Sequence, residues 1–406
     1  MIIKSPRSWL VPFLALALRC PAEDAELAAI RQRVAEATRQ LGDQAGIPEE
    51  ADTFLPIPTK GRWLTPAEAQ AGFAKGPAMI EKVRWWRIGL DPAKLQHALR
   101  EPASVVSAGA QASLAGLDGA ARSLELAREA GDFLIWAQEQ GGRGVYPFPA
   151  ARGGTSKPFL AADRLLERAA REGRTESMIE HGWAVEDLQD GGLQFDNGEA
   201  GVAMLELYQA TGEGKYLDSA RKAADWASTR PIVANWNYNS FSVYLLAKAY
   251  ETTGERKYLE AATRKARLGV IPGQLTGGPR AGRWVDRHNA KPAYHYIMMR
   301  ALAALALVLP TEDPARPEVL RCLQLGLRAR NADFTGPGAA NKDKAMEALV
   351  LVNRTWAHDP VLLRETGSAD ALDALGKLVS EQFRRGASPL GPREWALFLA
   401  FAVERQ

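Results

Sequence analysis

Residues 197–226 read NGEAGVAMLELYQATGEGKYLDSARKAADW, and residues 239–268 read NSFSVYLLAKAYETTGERKYLEAATRKARL. The second stretch echoes the first at a distance of forty-two positions. Asn197 falls on Asn239, Tyr208 on Tyr250, Thr211-Gly212-Glu213 on Thr253-Gly254-Glu255, and Lys215-Tyr216-Leu217 on Lys257-Tyr258-Leu259. A period of roughly twenty to fifty residues marks one supersecondary unit stacked on copies of itself. Each unit carries two helical patterns joined by Thr-Gly-Glu, where glycine takes the left-handed backbone that ends a helix. In the first helix Ala200, Val202, Ala203, Met204, Leu205, Leu207 and Tyr208 spread around most of the circumference, so it must be covered on most sides. In the second, Tyr216, Leu217, Ala220, Ala223 and Ala224 form one stripe opposite Lys215, Asp218, Arg221, Lys222 and Asp225, which is the pattern of a solvent-facing helix.

The same alternation returns over 296–309 (inner) and 319–330 (outer), then 345–352 and 371–383, with 395–403 as a last inner helix. No segment alternates with the two-residue period of a strand, so little sheet is expected beyond short hairpins. Inner apolar helices ringed by amphipathic ones make either an open solenoid or a closed α/α toroid. The links into the inner helices (140–158, 187–199, 228–239, 272–294 and 331–344) are long and rich in Trp, Tyr, Asn and Gly. Ordered loops of that kind at one end of a helical ring suggest a cleft. The expectation is an all-α, α/α-toroid domain over 111–406, preceded by a helical extension and linker over 23–110.

The first residues resemble a secretory leader: Lys4 and Arg7 precede an apolar run from Trp9 to Leu18, with small residues near Pro21-Ala22. The run is too short to span a membrane comfortably. A secreted or periplasmic protein is expected, cut after about residue 22. Loss of that segment removes Lys4, Arg7 and Arg19 and no acid, so the formal charge of +3 falls to zero. Nothing then calls for nucleic acid or an anionic membrane surface as partner, and a monomer is expected. Of the two cysteines, Cys20 lies in the leader region and Cys322 sits in an apolar run. They offer neither a disulfide framework nor zinc spacing.

The aromatic and polar links all precede inner helices, so stacking gathers them at one mouth. Tyr146, Phe148, Asp190, Gln194, Asp196, Asn197, Asn235, Trp236, Asn237, Tyr238, Asn239, Trp284, Asp286, His288, Asn289, Tyr294 and His295 are expected there. Flat rings cover the apolar face of a sugar while amides, carboxylates and guanidinium groups bind its polar groups. Asn197 and Asn239 are equally suited to helix N-caps. Gly282-Arg283-Trp284-Val285-Asp286-Arg287-His288-Asn289 is the segment densest in reactive groups. Two of the five histidines, His288 and His295, fall in or just after it, and both suit acid–base work near neutral pH. Asp196 and Asp286 are a candidate glycosidase pair. Asp190 and Asp196 are candidate metal ligands, without the spacing of a known metal motif.

The run Asp196-Asn197-Gly198-Glu199-Ala200, followed by Leu207-Tyr208-Gln209-Ala210-Thr211-Gly212-Glu213 and Lys215-Tyr216, resembles pectate lyases of the tenth polysaccharide-lyase family. So does Asp132-Phe133-Leu134-Ile135-Trp136-Ala137-Gln138 with Tyr146-Pro147. The resemblance spans about residues 80–355 and implies an α-helical toroid with a cleft for an acidic polysaccharide. It also implies β-elimination supported by calcium and an arginine base. Glu199 stands where that family has a small residue, and no match to its late Arg-Asp-Gly segment is found, so its base does not transfer. Asp196 carries over as a metal or substrate ligand.

The reading is a secreted or periplasmic lyase acting on uronate-containing polysaccharide. Arg283 or Arg287 would neutralise the uronate carboxylate, His288 or Tyr294 would move the proton with Asp286 nearby, and Tyr146, Asn197, Trp236, Tyr238, Asn239, Trp284 and His295 would bind substrate. The alternatives are a hydrolase using Asp196 and Asp286, and a helical-repeat sugar-binding or scaffold protein without chemistry.

Overall fold

The computed structural model describes residues 21–41, 61–82, 84–87, 91, 95, 97–153, 155, 157–187, 191–335, 342–386 and 390–405. Most of the leader-like segment (1–20), most of the long connection (42–60) and Asp190 lie outside the described residues. The helices begin with α1 (Pro21–Leu41), α2 (Pro66–Ala71), α3 (Gly76–Lys82), α4 (Arg100–Leu114), α5 (Ala120–Gly141), α6 (Lys157–Arg171) and α7 (Thr175–Met178). They continue with α8 (Gly192–Thr211), α9 (Gly214–Thr229), α10 (Trp236–Thr253), α11 (Arg256–Gly269), α12 (Pro292–Val308) and α13 (Arg316–Thr335). The last are α14 (Lys342–Thr355), α15 (Pro360–Glu365), α16 (Ser368–Arg384) and α17 (Pro392–Glu404).

The ring closes. Helix α4 packs against α8, α8 against α10, α10 against α12, α12 against α14, α14 against α17, and α17 returns to α4. Outside this inner ring, α5 covers α4, α9 covers α8, α11 covers α10, α13 covers α12, α16 covers α14, and the short α2 lies on α17. The fold is therefore an all-α toroid of helical hairpins, not an open solenoid. Helix α4 runs across residue 110, where the toroid was expected to begin, and is itself one of the ring helices.

The echo in the sequence is an echo in bonding. Gly212 and Gly254 both have φ of +71°, and their N–H groups donate to Tyr208 and Tyr250 carbonyls at 2.7 and 2.8 Å. Thr211 and Thr253 each donate to the carbonyl four residues back and accept from Glu213 and Glu255 N–H. Tyr216 and Tyr258 are buried beneath the ammonium groups of Lys215 and Lys257, at 4.8 and 4.7 Å. Side-by-side packing of α8 and α10 needs Gly198, where a Cβ would stand 2.8 Å from Phe241.

Among the described residues, sheet is confined to a small antiparallel patch of β1 (Phe148–Pro149), β2 (Ile179–Glu180) and β3 (Trp183–Ala184), in the order β1-β3-β2. The links into the ring helices are shorter than expected. Gln194, Asp196 and Asn197 stand on the first turns of α8, as Trp236, Tyr238 and Asn239 do on α10. Gln194, Asp196, Asn197 and Asn239 are buried on those turns and tolerated because each is hydrogen-bonded, and their polarity mimics a loop in sequence. Among the described residues no helix is long and apolar enough to cross a membrane. Cys322 is buried between apolar neighbours, as expected, and burial pushes its thiol pKa up.

Candidate active site

Inner and outer helices alternate along the chain, so every ring helix runs the same way and the ring's N-terminal ends share one mouth. Each helix N-terminus carries a partial positive charge. The mouth holds a cavity of about 370 Å³. Arg100 and Ser104 reach it from α4, Phe195 and Glu199 from α8, Tyr294 and Ile297 from α12, Lys344 from α14, and Arg393 and Glu394 from α17.

Beneath the cavity the bore is filled by charge. Arg300 Nη2 donates to Glu199 Oε1 at 3.0 Å and Nη1 to Glu347 Oε2 at 2.5 Å. Arg393 also pairs with Glu199, and its Nη2 lies 2.7 Å from Glu347 Oε1. Lys344 Nζ stands 3.7 Å from Glu199 and 3.5 Å from Glu394. The Arg300 guanidinium lies 4.3 Å from the Tyr244 ring centroid. Below this plug, Gln111, Glu206 and Tyr244 help line a smaller void of about 60 Å³.

Removing so many charges from water costs several kcal/mol per ion before their attraction offsets it. Burial would raise the Glu199 and Glu347 carboxyls, but Arg300, Lys344 and Arg393 outweigh it: Glu347 is lowered and Glu199 lies well below its usual range. Burial would lower Lys344, yet Glu199, Glu347 and Glu394 raise it. At Asp196 burial wins over Arg100 and the carboxyl is raised.

The charges are not equally hidden. The Arg100 and Lys344 side chains are 31% and 22% exposed, against 4% for Asp196, 7% for Glu199 and 10% for Glu394. The face that the mouth turns to solvent is cationic. Arg100 is held there by Asp196, through Nε–Oδ1 at 2.9 Å and Nη2–Oδ2 at 3.1 Å, and lies 4.0 Å from the Phe195 ring centroid.

Of the residues singled out in sequence, Tyr294 lines this mouth and Asp196 anchors it through Arg100. His288 is exposed and stacks on Tyr294, centroids 4.2 Å apart. With Trp236, Asp286 and Asn289, His288 lines a neighbouring cavity of about 490 Å³. The proposed carboxylate pair is thus split: Asp196 lies in the bore wall and Asp286 in the neighbouring turn, bonded to Asn289 N–H and Nδ2. Tyr238 is half-buried beside Gly191. Arg283 is half-buried in the hairpin where Gln274 pairs with Trp284, and Arg287 is exposed. Neither of these arginines lines the mouth cavity.

Five expected substrate ligands stand instead between the helix layers. Asn197 accepts from Tyr146 N–H and donates to the Ala223 carbonyl. Asn239 accepts from Val233 N–H and donates to the carbonyls of Val233 and Gly269. His295 Nε2 bonds the Gly326 carbonyl at 2.9 Å, and burial with nearby Arg330 keeps the ring neutral. Each clamps a ring helix to its outer partner, and neither asparagine serves as an N-cap. The Tyr146 hydroxyl bonds Ser219 at 2.6 Å, Trp284 Nε1 donates to the Val270 carbonyl, and both side chains are fully buried.

Both Asp196 oxygens are taken by a guanidinium that would repel a cation, and among the described residues no three His, Cys, Asp or Glu groups gather to hold a metal. Asp190, the other expected metal ligand, lies outside the described residues. Sequence reading missed Arg100, Glu199 as a site group, Arg300, Lys344, Glu347, Arg393 and Glu394. One signal was there: Arg300 is the one Lys, Arg, Asp or Glu of α12, and Glu347 stands alone in the apolar run Ala345-Met346-Glu347-Ala348-Leu349.

No family model and no curated protein matches the chain. Among solved structures it is similar to a glycosyl hydrolase of family 88 from Bacteroides vulgatus, at 13% identity and TM-score 0.49, covering 84% of this chain and 99% of that one. It is similar to a cellobiose 2-epimerase from Spirochaeta thermophila, at 13% identity and TM-score 0.49, covering 93% and 97%. It is similar also to a polysaccharide lyase, at 13% identity and TM-score 0.48, covering 84% and 97%. Similarity at this level says nothing about what this chain acts on.

Proposed function

We propose that the chain is a carbohydrate-processing enzyme, secreted or periplasmic, that cleaves uronate-containing polysaccharide by β-elimination at the mouth of the ring. The observation that carries this reading is the pair of cations at the mouth: Arg100 and Lys344 are the most exposed members of a charged cluster whose carboxylates, Glu199 and Glu394 among them, are more deeply buried. A sugar carboxylate is the complementary group, and charge-assisted bonds to it are the strong kind. Tyr294 gives the ring of the sugar aromatic surface.

Arg100 and Lys344 neutralise the uronate carboxylate in place of Arg283 and Arg287, which stabilises negative charge developing on the adjacent carbon. Tyr294 relays the proton: its phenolic oxygen accepts it from that carbon as its own O–H proton is delivered to the departing oxygen. The electron pair forms the new carbon–carbon double bond, and the glycosidic carbon–oxygen bond opens. His288, stacked on Tyr294, fixes the ring that performs the transfer. Asp196 acts as a positioning residue by holding Arg100.

Hydrolysis is the second reading, with Asp196 as one of its two carboxylates. Its carboxylate partner would be Glu394 across the mouth, not Asp286. Incubation with pectate and other uronans separates the readings. The lyase releases unsaturated ends that absorb ultraviolet light, and the hydrolase releases reducing ends without that absorbance. Retention of the polymer with neither product would leave a binding protein and overturn both.

A further inference from the structure

We propose, building on a uronate in the mouth, that the depression beside it is a second sugar site and that it takes an uncharged sugar residue. This cavity of about 490 Å³ lies over the first turn of α10 and the 284–289 turn, and Arg33 and Val34 of α1 form its far wall. His288, which lines it, stacks on Tyr294, which lines the mouth. Trp236, Val285 and Val34 give it apolar surface, and Asn235, Asp286 and Asn289 give it polar groups.

Those polar groups are pinned. Asn289 Nδ2 donates to both Asp286 oxygens at 3.0 and 3.1 Å, and Asn289 Oδ1 accepts from Asn237 N–H and Nδ2 at 3.0 and 2.8 Å. Asn237 Nδ2 also donates to Asn235 Oδ1 at 2.9 Å. A preorganised amide and carboxylate array beside an indole recognises hydroxyl groups without ordering itself on binding. Its charge differs from that of the mouth, because Arg33 and Asp286 offset each other across the cavity. The densest reactive segment of the sequence thereby acquires a role in binding rather than in proton transfer. The two sites together select a chain in which a uronate adjoins a neutral sugar, not a homopolymer of uronates.

Calorimetric titration of the full chain tests this with three probes: glucuronate, a hyaluronan tetrasaccharide (glucuronate alternating with N-acetylglucosamine), and a tetrasaccharide of glucuronate alone. The alternating tetrasaccharide is expected to bind about tenfold tighter than the all-uronate one, the worth of one or two well-made hydrogen bonds. Asn235→Ala, and Ala234→Arg at an exposed position on the cavity wall, should each bring that ratio to about one. The second site is overturned if the wild type shows no preference, or if the preference survives both variants. If neither glucuronate nor either tetrasaccharide binds, the uronate reading of the mouth falls, and the second site with it.

Discussion

Between the two helix layers the buried polar side chains Asn197, Asn239 and His295 are neutral, and each bonds a backbone carbonyl of the neighbouring outer helix. In the bore, the buried polar groups Glu199 of α8, Arg300 of α12, Glu347 of α14 and Arg393 of α17 are charged and bond one another. A neutral amide tied to a carbonyl contributes about 1 kcal/mol and fixes the spacing of two helices. A buried ionic network gains little net stability over apolar packing. What it does here is set the height and direction of Lys344 and Arg393 beneath the mouth. The layer contact is architecture, and the bore supports the candidate site.

The largest effect that would sharpen this contrast is expected at Arg300. Arg300→Met leaves Glu199 and Glu347 short of a buried partner and should cost about 3–5 kcal/mol in denaturant unfolding. A loss below about 1 kcal/mol would mean that water reaches the plug and that the bore is not the dry, charged environment described.

Lys265 marks where the contrast would break, since it is a cation buried away from the bore. Its ammonium donates to the Arg230 carbonyl at 2.7 Å, and burial, aided by Arg264 and Arg230, lowers its pKa to about 7. An unfolded lysine titrates near 10.4, so between about pH 7 and 10 the unfolded chain holds the extra proton and stability climbs with pH. The penalty is fully present below about pH 7. Lys265→Met should therefore stabilise the fold by roughly 2 kcal/mol near pH 6 and flatten the climb toward pH 9. An unchanged pH slope in the variant would place the titrating group elsewhere.

The architecture was legible because repetition needs no chemistry. Gly212 and Gly254, with identical turns around them, announce a stacked unit, and the all-round apolar helices announce an inner ring. The site was half legible. Tyr294 does line the mouth and Asp196 holds Arg100 there, but Trp284, Tyr146 and the two asparagines were read as ligands because their residue types suit sugar binding. Burial, which one-dimensional pattern cannot give, assigns them to the walls. The charged bore was overlooked for the opposite reason. Charges in helices usually mark a solvated face, and here they meet across the ring axis from segments up to 194 positions apart.

The most direct measurement is the initial rate of ultraviolet-absorbing product from a uronate oligosaccharide, with Lys344→Met and Asn239→Ala set beside the wild type per amount of folded protein. Lys344→Met should lose about a hundredfold in rate. Asn239→Ala should melt earlier, by about 2 kcal/mol, yet turn over at nearly the wild-type rate. A Lys344→Met variant with undiminished rate, or an Asn239→Ala variant that folds and is inactive, would contradict the placing of function in the bore.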